Sequence, residues 1–440
     1  MVKNNGSAGA AHSLLSGLVR FRKGSKKNNI AIVIPSADSV ELLEEHLKIL
    51  SSQNYKKFDV IIIGRKPGKA PRKLNMLHYD EVCPLGSSGG FGIGQVLAYL
   101  LGYGYVINSD VDATPISKNL VKRLLEVARS SGKAVFPKSV QYEGYPLCGY
   151  VINQYGICPR SLLEEFGFLY FRLFKGSEDV DYCERLVMEG KVIYDDSALV
   201  RHKSHIFDFI SLLKSRGNKY IYYKKSEMLV QILLTSYSLR HLRPANAAKH
   251  FLSAFLSAVK TQIFYSQYGD ILRPVVCEAM HLDMTRASLA RTSALSEAKE
   301  KGKPARLAVN GETGERGVIF AVGNGALANM APTIKALFSH GDYFLPTAKF
   351  LYERGDLLPL LLLSKPVKYS DGRVYSSGLS HAQVAANLVK TTILAPYFIF
   401  SIAMSVLKAF RLDYPITRQN LGKNLLLFER YVKALKMEKK

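Results

Sequence analysis

Short runs rich in hydrophobic residues recur through the first half of the chain. Four of them predict strands, at residues 30–35, 58–64, 105–110 and 133–138. Such runs have no polar face, which is typical of strands that helices cover on both sides of a parallel sheet. The stretches 39–53 and 116–132 have apolar residues at helical spacing and predict helices, the second of which ends at Gly132. This alternation predicts an α/β fold with a mostly parallel central sheet.

The alternation fades after about residue 220. Residues 226–239 and 247–264 predict helices, and the polar, glycine-containing stretch 291–317 predicts a linker or mobile loop. The pattern divides the chain into a basic N-terminal tail at 1–27, an α/β domain at 28–225 and a helical region at 226–440.

One apolar segment allows three interpretations. Residues 391–407 contain no charge and lie between Lys390 and Lys408. A length of about 17 residues is the lower limit for a helix that crosses a bilayer, and Pro396 would kink such a helix. The segment therefore fits an interfacial or re-entrant helix, a membrane span or a helix of the protein core.

The charge of the chain suggests an anionic partner. Lys and Arg number 60 against 36 Asp and Glu, which gives a net charge of +24. Nucleic acid, a phosphorylated ligand and an anionic membrane surface all suit this excess. The five cysteines form no Cys-x-x-Cys pair, which argues against a disulfide scaffold or a zinc site. The first 27 residues also lack an apolar core of signal-peptide length.

Two carboxylates follow the third predicted strand, in the sequence NSDVDA at 108–113. Asp110 and Asp112 are two residues apart, so on a strand their side chains point the same way and repel each other. Ligands of parallel sheets bind beyond the carboxyl ends of the strands. A divalent metal that binds a diphosphate would explain the pair. A Lys/Arg cluster, or a solvated turn that caps the next helix, would also accommodate it.

Other stretches could belong to the same site. The glycine-rich sequence GSSGGFGIG at 86–94 predicts a loop before a helix, suited to direct N–H groups at a phosphate or sugar or to form a flexible turn. The sequence GSEDVDYCERLVMEG at 176–190 predicts a helix that begins with acids and ends at Gly190. One of these acids could be a general base, or all could simply complement the helix dipole. His202 and His205 end a further strand, in a structural role or near a metal.

Taken in order, these segments resemble the family 2 glycosyltransferases. IAIVIPSAD is similar to the opening strand of that family, NSDVDA to its Asp-x-Asp strand end, and KGSEDVDYCERLVMEGKVIYDDSALVRH to its later acidic, Arg, Gly and His pattern. The stretch from GSSGGFGIG to NSDVDATP most resembles galactofuranosyltransferase-like and rhamnosyltransferase-like members. The resemblance covers about residues 28–225.

The resemblance implies a GT-A nucleotide-diphosphosugar fold and an inverting transfer that depends on Mn²⁺ or Mg²⁺. Asp179 would be the catalytic base, supported by Glu178. The metal would be held by Asp110, Asp112 and His202, with His205 as the alternative to His202. The donor would lie near Pro35, Asp38, Arg65, Gly89, Gly90 and Asp110. Arg65 lies where the family often has acids that contact the base, and Ile93 where it often has Arg.

The resemblance also implies the partners. The donor would be a UDP-sugar by preference, with UDP-galactofuranose or dTDP-rhamnose as examples, and the acceptor a glycan or a polyprenyl-linked sugar. The basic tails and the apolar segment 391–407 suit an anionic membrane surface, so we expect the protein at the cytoplasmic face of the cell membrane, where it could form a homo-oligomer.

Three other functions remain open from sequence. A nucleic-acid-binding protein would suit the charge, but the chain has no RNA-recognition, helix-turn-helix or zinc pattern, so we expect no nucleic-acid partner. A sugar-phosphate nucleotidyltransferase would carry a glycine-rich, basic loop after the first strand, where this chain has PSADSVELL. A catalytically inactive, scaffolding relative would keep the same fold.

Overall fold

The computed structural model describes residues 5–20, 28–36, 40–69, 71–80, 86–140, 149–150, 155–171, 178–202, 218–265, 367–368, 374–375, 381–426 and 428–429. The helices are α1 (Asn5–Ser16), α2 (Val40–Ser52), α3 (Gly86–Leu100), α4 (Leu120–Ser131), α5 (Arg160–Phe166), α6 (Glu178–Met188), α7 (Asn218–Arg240), α8 (Pro244–Tyr265) and α9 (His381–Ala409). The strands of the main sheet are β1 (Leu18–Arg20), β2 (Ile30–Ser36), β3 (Phe58–Gly64), β4 (Asn75–Tyr79), β5 (Tyr105–Ser109), β6 (Ala113–Pro115), β7 (Ala134–Val140), β8 (Gly149–Tyr150), β9 (Tyr155–Pro159) and β10 (Val192–His202). Two short strands, β11 (Val367–Lys368) and β12 (Val374–Tyr375), form a separate pair.

The main sheet is mixed and mostly parallel in its central part. Its strand order is β1-β4-β3-β2-β5-β9-β7-β10-β6, with β8 beside β7. Strands β4, β3, β2 and β5 are parallel neighbours, and β9 is antiparallel between β5 and β7. The structure therefore confirms the predicted α/β fold with a mostly parallel sheet and a helical C-terminal region.

The sheet has a switch point between β2 and β5. From β2 the chain adds β3 and β4 on one side, and then returns to place β5 on the other side of β2. The loops that leave two such strands diverge, which opens a crevice at their carboxyl ends. This crevice is where a sheet of this kind binds ligands, and it lies directly before Asp110.

Hydrophobic cores on both faces explain the unbroken apolar runs of the sequence. Ile30 and Ile32 point into the core beneath α2 and α4, whereas Ala31 and Val33 point into the core that includes α3. Gly132 ends α4 in the left-handed conformation, with φ of 66°, as predicted. The structure thus matches the sequence pattern residue by residue in this part of the sheet.

The glycine-rich stretch 86–94 is not a loop but the first turns of α3. A Cβ atom at Gly94 would lie 2.1 Å from Cγ1 of Val33, and one at Gly92 would lie 2.7 Å from the backbone oxygen of Leu169. Gly92 and Gly94 therefore let α3 pack very close to β2 and to the segment from Leu169 to Phe171. Close packing, rather than a flexible turn, accounts for them.

The N-terminal region also differs from the predicted tail. Residues 5–16 form α1, and Leu18–Arg20 pairs with β4 at the edge of the sheet. Ala10 and Leu14 are buried in the core that includes α3. Burial of these side chains, within and just before the short apolar segment LLSGLV at 14–19, orders this part of the chain.

The helices after the sheet pack against it. The predicted helices at 226–239 and 247–264 lie within α7 and α8, and the predicted linker at 291–317 lies outside the described residues. Buried residues of α7 and α9, among them Leu233 and Phe398, share one core with α3 and α6. Within the described part of the chain, Ala385–Ala409 is the one helical segment long and apolar enough to cross a membrane.

Candidate active site

Asp110 and Asp112 lie at the switch point of the sheet. They follow the last residue of β5, and the backbone N–H of Ala113 donates to the carbonyl oxygen of Asp110 at 3.0 Å, which closes a tight turn. Both carboxylates are half-buried. The sheet therefore presents two carboxylates in the crevice where its topology favours a ligand.

Strand β10, which ends at His202, pairs with the strand that follows this turn. In the antiparallel pairing of β10 with β6, the backbone of His202 is opposite Ala113, the residue after Asp112. His205, the alternative ligand, lies outside the described residues. The register thus supports the predicted grouping of His202 with the two aspartates at the level of the backbone.

The two aspartates suit a hard divalent cation. Mg²⁺ in proteins is commonly held by one or two carboxylates together with substrate phosphates, so a third protein ligand is not required. Among the side chains that the structure describes, no group of three His, Cys, Asp or Glu could hold a metal alone. The chemistry of Asp110 and Asp112 therefore fits a metal that is shared with a diphosphate.

The acidic helix α6 begins at the same edge of the sheet. Helix α3 connects parallel strands β4 and β5, so its first turn lies near their ligand-binding edge. Ser87 in that turn donates a hydrogen bond to Glu178, the first residue of α6. Through this contact the N-termini of α3 and α6 meet, and both direct backbone N–H groups toward this edge.

Asp179, the predicted base, is the second residue of α6. Its Oδ1 accepts the backbone N–H of Val180 at 2.8 Å. Burial raises the pKa of Asp179 above its ordinary value of 3.8, and the N–H of Val180 offsets only part of this shift. A half-buried carboxylate with a raised pKa has the properties that general-base catalysis requires.

Asp181, the third acid of this motif, has a structural role. Its carboxylate is fully buried, pairs with Arg185 at 3.1 Å and accepts a hydrogen bond from Tyr414. Arg185 also donates to the carbonyl oxygens of Phe166 and Phe168. These contacts leave Asp181 no access to a substrate and separate its role from that of Asp179.

The predicted donor-binding residues are spread around the switch point. Pro35 lies near the carboxyl end of β2, and the backbone N–H of Arg65 donates to the carbonyl oxygen of Ser36 at 2.7 Å. The side chain of Arg65 is exposed, whereas Gly89 and Gly90 are buried in the first turns of α3. Asp38 lies outside the described residues. The roles of these residues in donor binding remain predictions.

His46 is a site residue that sequence reasoning missed. It lies on the buried face of α2, and its Nε2 is 2.8 Å from Oγ of Ser109, the residue before Asp110. Burial lowers the pKa of His46 to about 4, although the charge of Asp112 raises it in part, so the ring is neutral at pH 7. Its Nδ1 is buried without a hydrogen-bond partner. The signal was present, because a histidine interrupts the apolar face formed by Leu43, Leu47 and Leu50.

A second buried pair joins α3 to β5. The side-chain amide of Gln95 donates to Oδ1 of Asn108 at 3.2 Å, and its Oε1 accepts the N–H of Leu169 at 2.8 Å. Gln95 therefore links α3, the strand that precedes the aspartates and the chain after α5. Sequence reasoning could not identify this residue, because a lone Gln in a helix carries no pattern.

Solved structures of low similarity were found for this chain. A mannosyltransferase from Pyrobaculum calidifontis in complex with GDP-Man and Mn²⁺ has 12% identity and a TM-score of 0.35, and the match covers 76% of this chain and 95% of that one. S. aureus TarS 1–349 in complex with UDP-GlcNAc has 13% identity and a TM-score of 0.31, with coverage of 52% and 90%. Another structure of S. aureus TarS has 16% identity and a TM-score of 0.33, and the match spans 42% of this chain and 38% of TarS.

No protein-family model and no curated protein matches the chain. Structural likeness of the degree found here carries no inference about function. We therefore base the functional proposal on the residues of this chain.

Proposed function

We propose that this chain is a metal-dependent glycosyltransferase that uses a nucleotide-diphosphosugar donor. The single observation that carries the proposal is the position of Asp110 and Asp112, half-buried at the switch point of a mostly parallel sheet. The resemblance of the ordered motifs at 28–225 to family 2 glycosyltransferases supports the same conclusion, and implies the GT-A form of the fold.

The chain has residues that suit both the diphosphate and the nucleotide of the donor. Asp110 and Asp112 would hold Mn²⁺ or Mg²⁺, with His202 or His205 as a further ligand, and Pro35, Asp38 and Arg65 would lie near the nucleotide. A bound cation would supply positive charge beside the diphosphate. The first turns of α3 and α6 direct N–H groups at the same edge and so favour an anionic ligand there. Gly89 and Gly90, in the following turn of α3, would lie near the donor.

Asp179 would carry out the proton transfer. The acceptor hydroxyl loses its proton to the Asp179 carboxylate while its oxygen forms a bond to the anomeric carbon. The bond from that carbon to the diphosphate oxygen breaks, and its electron pair stays with the diphosphate. One displacement inverts the anomeric configuration, so a single base suffices. Glu178, held by Ser87, would position the start of α6 for this step.

The donor and acceptor classes follow from the resemblance. A UDP-sugar is preferred, with UDP-galactofuranose and dTDP-rhamnose as the first candidates, and the acceptor would be a glycan or a polyprenyl-linked sugar. Such an acceptor would place the protein at the cytoplasmic face of the cell membrane. The excess of Lys and Arg, 60 against 36 Asp and Glu, suits an anionic surface there.

The test is the release of nucleoside diphosphate from candidate donors by the purified full chain. We expect release from at least one UDP- or dTDP-sugar in the presence of a polyprenyl-linked acceptor, and we expect chelation of divalent metal to abolish it. Release that persists after chelation would contradict metal dependence. No release from UDP-, dTDP- or GDP-sugars with metal and a range of acceptors would contradict transferase activity.

A further inference from the structure

Helix α9 has two apolar faces, and only one of them is covered by protein. Phe398, Ile402, Val406 and Ala409 are buried in the core shared with α7. The opposite side of the helix carries a stripe of apolar residues at intervals of three, four or seven positions, which we call the outer stripe: Val389, Ile393, Pro396, Phe400 and Leu407.

The outer stripe is exposed. Val389, Ile393, Phe400 and Leu407 have exposed fractions of 62%, 72%, 60% and 57%. Leu252 and Leu256, one helical turn apart on α8, are also exposed, and α8 packs against α9. Apolar residues that cluster on a surface in this way mark a contact with another apolar phase or partner.

The buried face of α9 argues against a membrane span. A span would need its whole circumference free for lipid or for other spanning helices, but Phe398 and Ile402 are within the core of the protein. The C-terminal end of α9 is also fixed, because Arg240 donates a hydrogen bond to the carbonyl oxygen of Ala409 at 2.8 Å. The helix therefore cannot cross a bilayer without leaving the core.

The charge around the outer stripe favours an anionic partner. No acidic residue occurs between Asp371 and Asp413. Lys390 and Lys408 are about five helical turns apart, so they lie on the same side of α9, at the border of the two faces. Lysines in this position can immerse their methylene groups and keep the ammonium among headgroups. A flat, anionic lipid surface fits both the apolar stripe and its basic border.

We propose that α9 is a monotopic membrane anchor, which lies parallel to an anionic bilayer with the outer stripe immersed and both ends on the same side. This inference does not depend on the proposed transferase function. It selects one of the three interpretations that the sequence left open for residues 391–407, the interfacial helix, and it explains why half of that helix is also part of the protein core.

The chain contains no tryptophan, which allows a direct test. Single substitutions Val389→Trp, Phe400→Trp and Leu407→Trp each give the full chain one fluorescent probe in the stripe. Val19→Trp, on the exposed strand β1, is the matched control. Emission is measured with vesicles of phosphatidylglycerol and phosphatidylcholine in equal amounts, and depth is measured by quenching with lipids brominated at known acyl positions.

We expect a blue shift for the three stripe probes and none for the control. All three should lie at the same depth, about 5–10 Å into the headgroup and acyl boundary. A probe at 400 near the bilayer centre, with 389 and 407 near opposite surfaces, would show a span and overturn the proposal. Emission that is already blue-shifted without vesicles would show that a second copy or another segment of the chain covers the stripe, and would also overturn it.

A double variant and its control test how much the outer stripe contributes to membrane binding. The exposed residues Ile393 and Phe400 can be changed together to Gln without disturbing the core, and Ile116→Gln is an exposed control elsewhere. We expect the double variant to bind anionic vesicles at least about tenfold more weakly, and the control to bind as the wild type does. Equal binding of all three proteins would contradict a role for the stripe.

Discussion

The three acids within four residues at the start of α6 have three different environments. Glu178 accepts a hydrogen bond from Ser87, Asp181 is paired with Arg185 inside the core, and Asp179 keeps a half-buried carboxylate with a raised pKa. The sequence presents these acids as equivalent candidates. The structure distinguishes them by the partners that other elements bring to each carboxylate. Of the three, only Asp179 is partly exposed, and burial raises its pKa above the ordinary value.

Asp179→Asn should abolish proton transfer and leave donor binding intact. If Asp179 is the base, kcat should fall by about 10²–10⁴-fold, while the KM for the donor stays within about twofold. In the wild type the carboxylate must be deprotonated, so kcat should rise with pH through a pKa above the ordinary value of 3.8. Steady-state kinetics across pH checks both expectations.

Asp196→Asn is the matched control for that variant. Asp196 is exposed and pairs with Lys138 at 3.4 Å on the surface. Its replacement should leave kcat and the pH profile unchanged. A loss in Asp196→Asn equal to that in Asp179→Asn, or an active Asp179→Asn enzyme with the same pH profile, would refute the role of Asp179.

At the scale of elements, the sequence predicts the strands and helices that have a regular hydrophobic pattern. It misses those that depend on contacts with residues distant in sequence. The buried strands β2, β3 and β5 are evident because helices cover both faces and most of their residues are apolar. The antiparallel strand β9 was not predicted, since its position between β5 and β7 is a tertiary arrangement. The start of α3 was predicted as a loop, because glycine has a low intrinsic helix propensity and tertiary packing overrides it here.

The same reasoning applies to the candidate site. Asp110 and Asp112 were predictable, because they follow a strand that the hydrophobic pattern defines. Gln95 was not, because its significance comes from a contact with Asn108 that no pattern indicates. His46 stands out on an apolar helix face, but its partner Ser109 is distant in sequence, so the pattern does not connect it to the site.

Gly92→Ala tests the packing explanation for the glycines of α3. The added Cβ would meet the backbone oxygen of Leu169 at 2.7 Å and Cβ of Phe171 at 2.9 Å, so α3 must shift. We expect a loss of about 1–3 kcal/mol in the free energy of unfolding, measured by denaturant titration. Gly9→Ala in α1, with nothing within 4 Å of its Cβ, should be neutral or stabilising. Equal stability of the two variants would exclude tight packing as the reason for Gly92.

At the scale of the whole molecule, the sheet and the C-terminal helices share a core rather than forming separate bodies. The link is clearest at Arg185, which joins Asp181 in its own helix to the chain after α5, while Tyr414 after α9 bonds the same aspartate. The proposed base and the proposed membrane anchor are therefore connected through one short set of buried contacts. This arrangement would hold the site at a fixed position relative to a membrane-bound acceptor.

Arg185→Met should destabilise the whole protein. The substitution leaves the Asp181 carboxylate buried and unpaired, which typically costs about 3–5 kcal/mol. We expect the main calorimetric transition to move to lower temperature without splitting. Lys122→Met, which removes the exposed pair with Glu126 at 3.7 Å, should cause a much smaller change because water solvates both side chains. Two separated transitions in Arg185→Met would contradict the shared core.

The most direct test of the central claim is calorimetric titration of the purified full chain with UDP, with and without Mn²⁺, beside Asp112→Ala and the surface control Asp196→Ala. We expect binding that requires Mn²⁺, persists in Asp196→Ala and is lost in Asp112→Ala. If UDP does not bind, dTDP and GDP are titrated next. Absence of binding by all three nucleotides with metal, or undiminished binding by Asp112→Ala, would contradict a metal-dependent donor site at the end of β5.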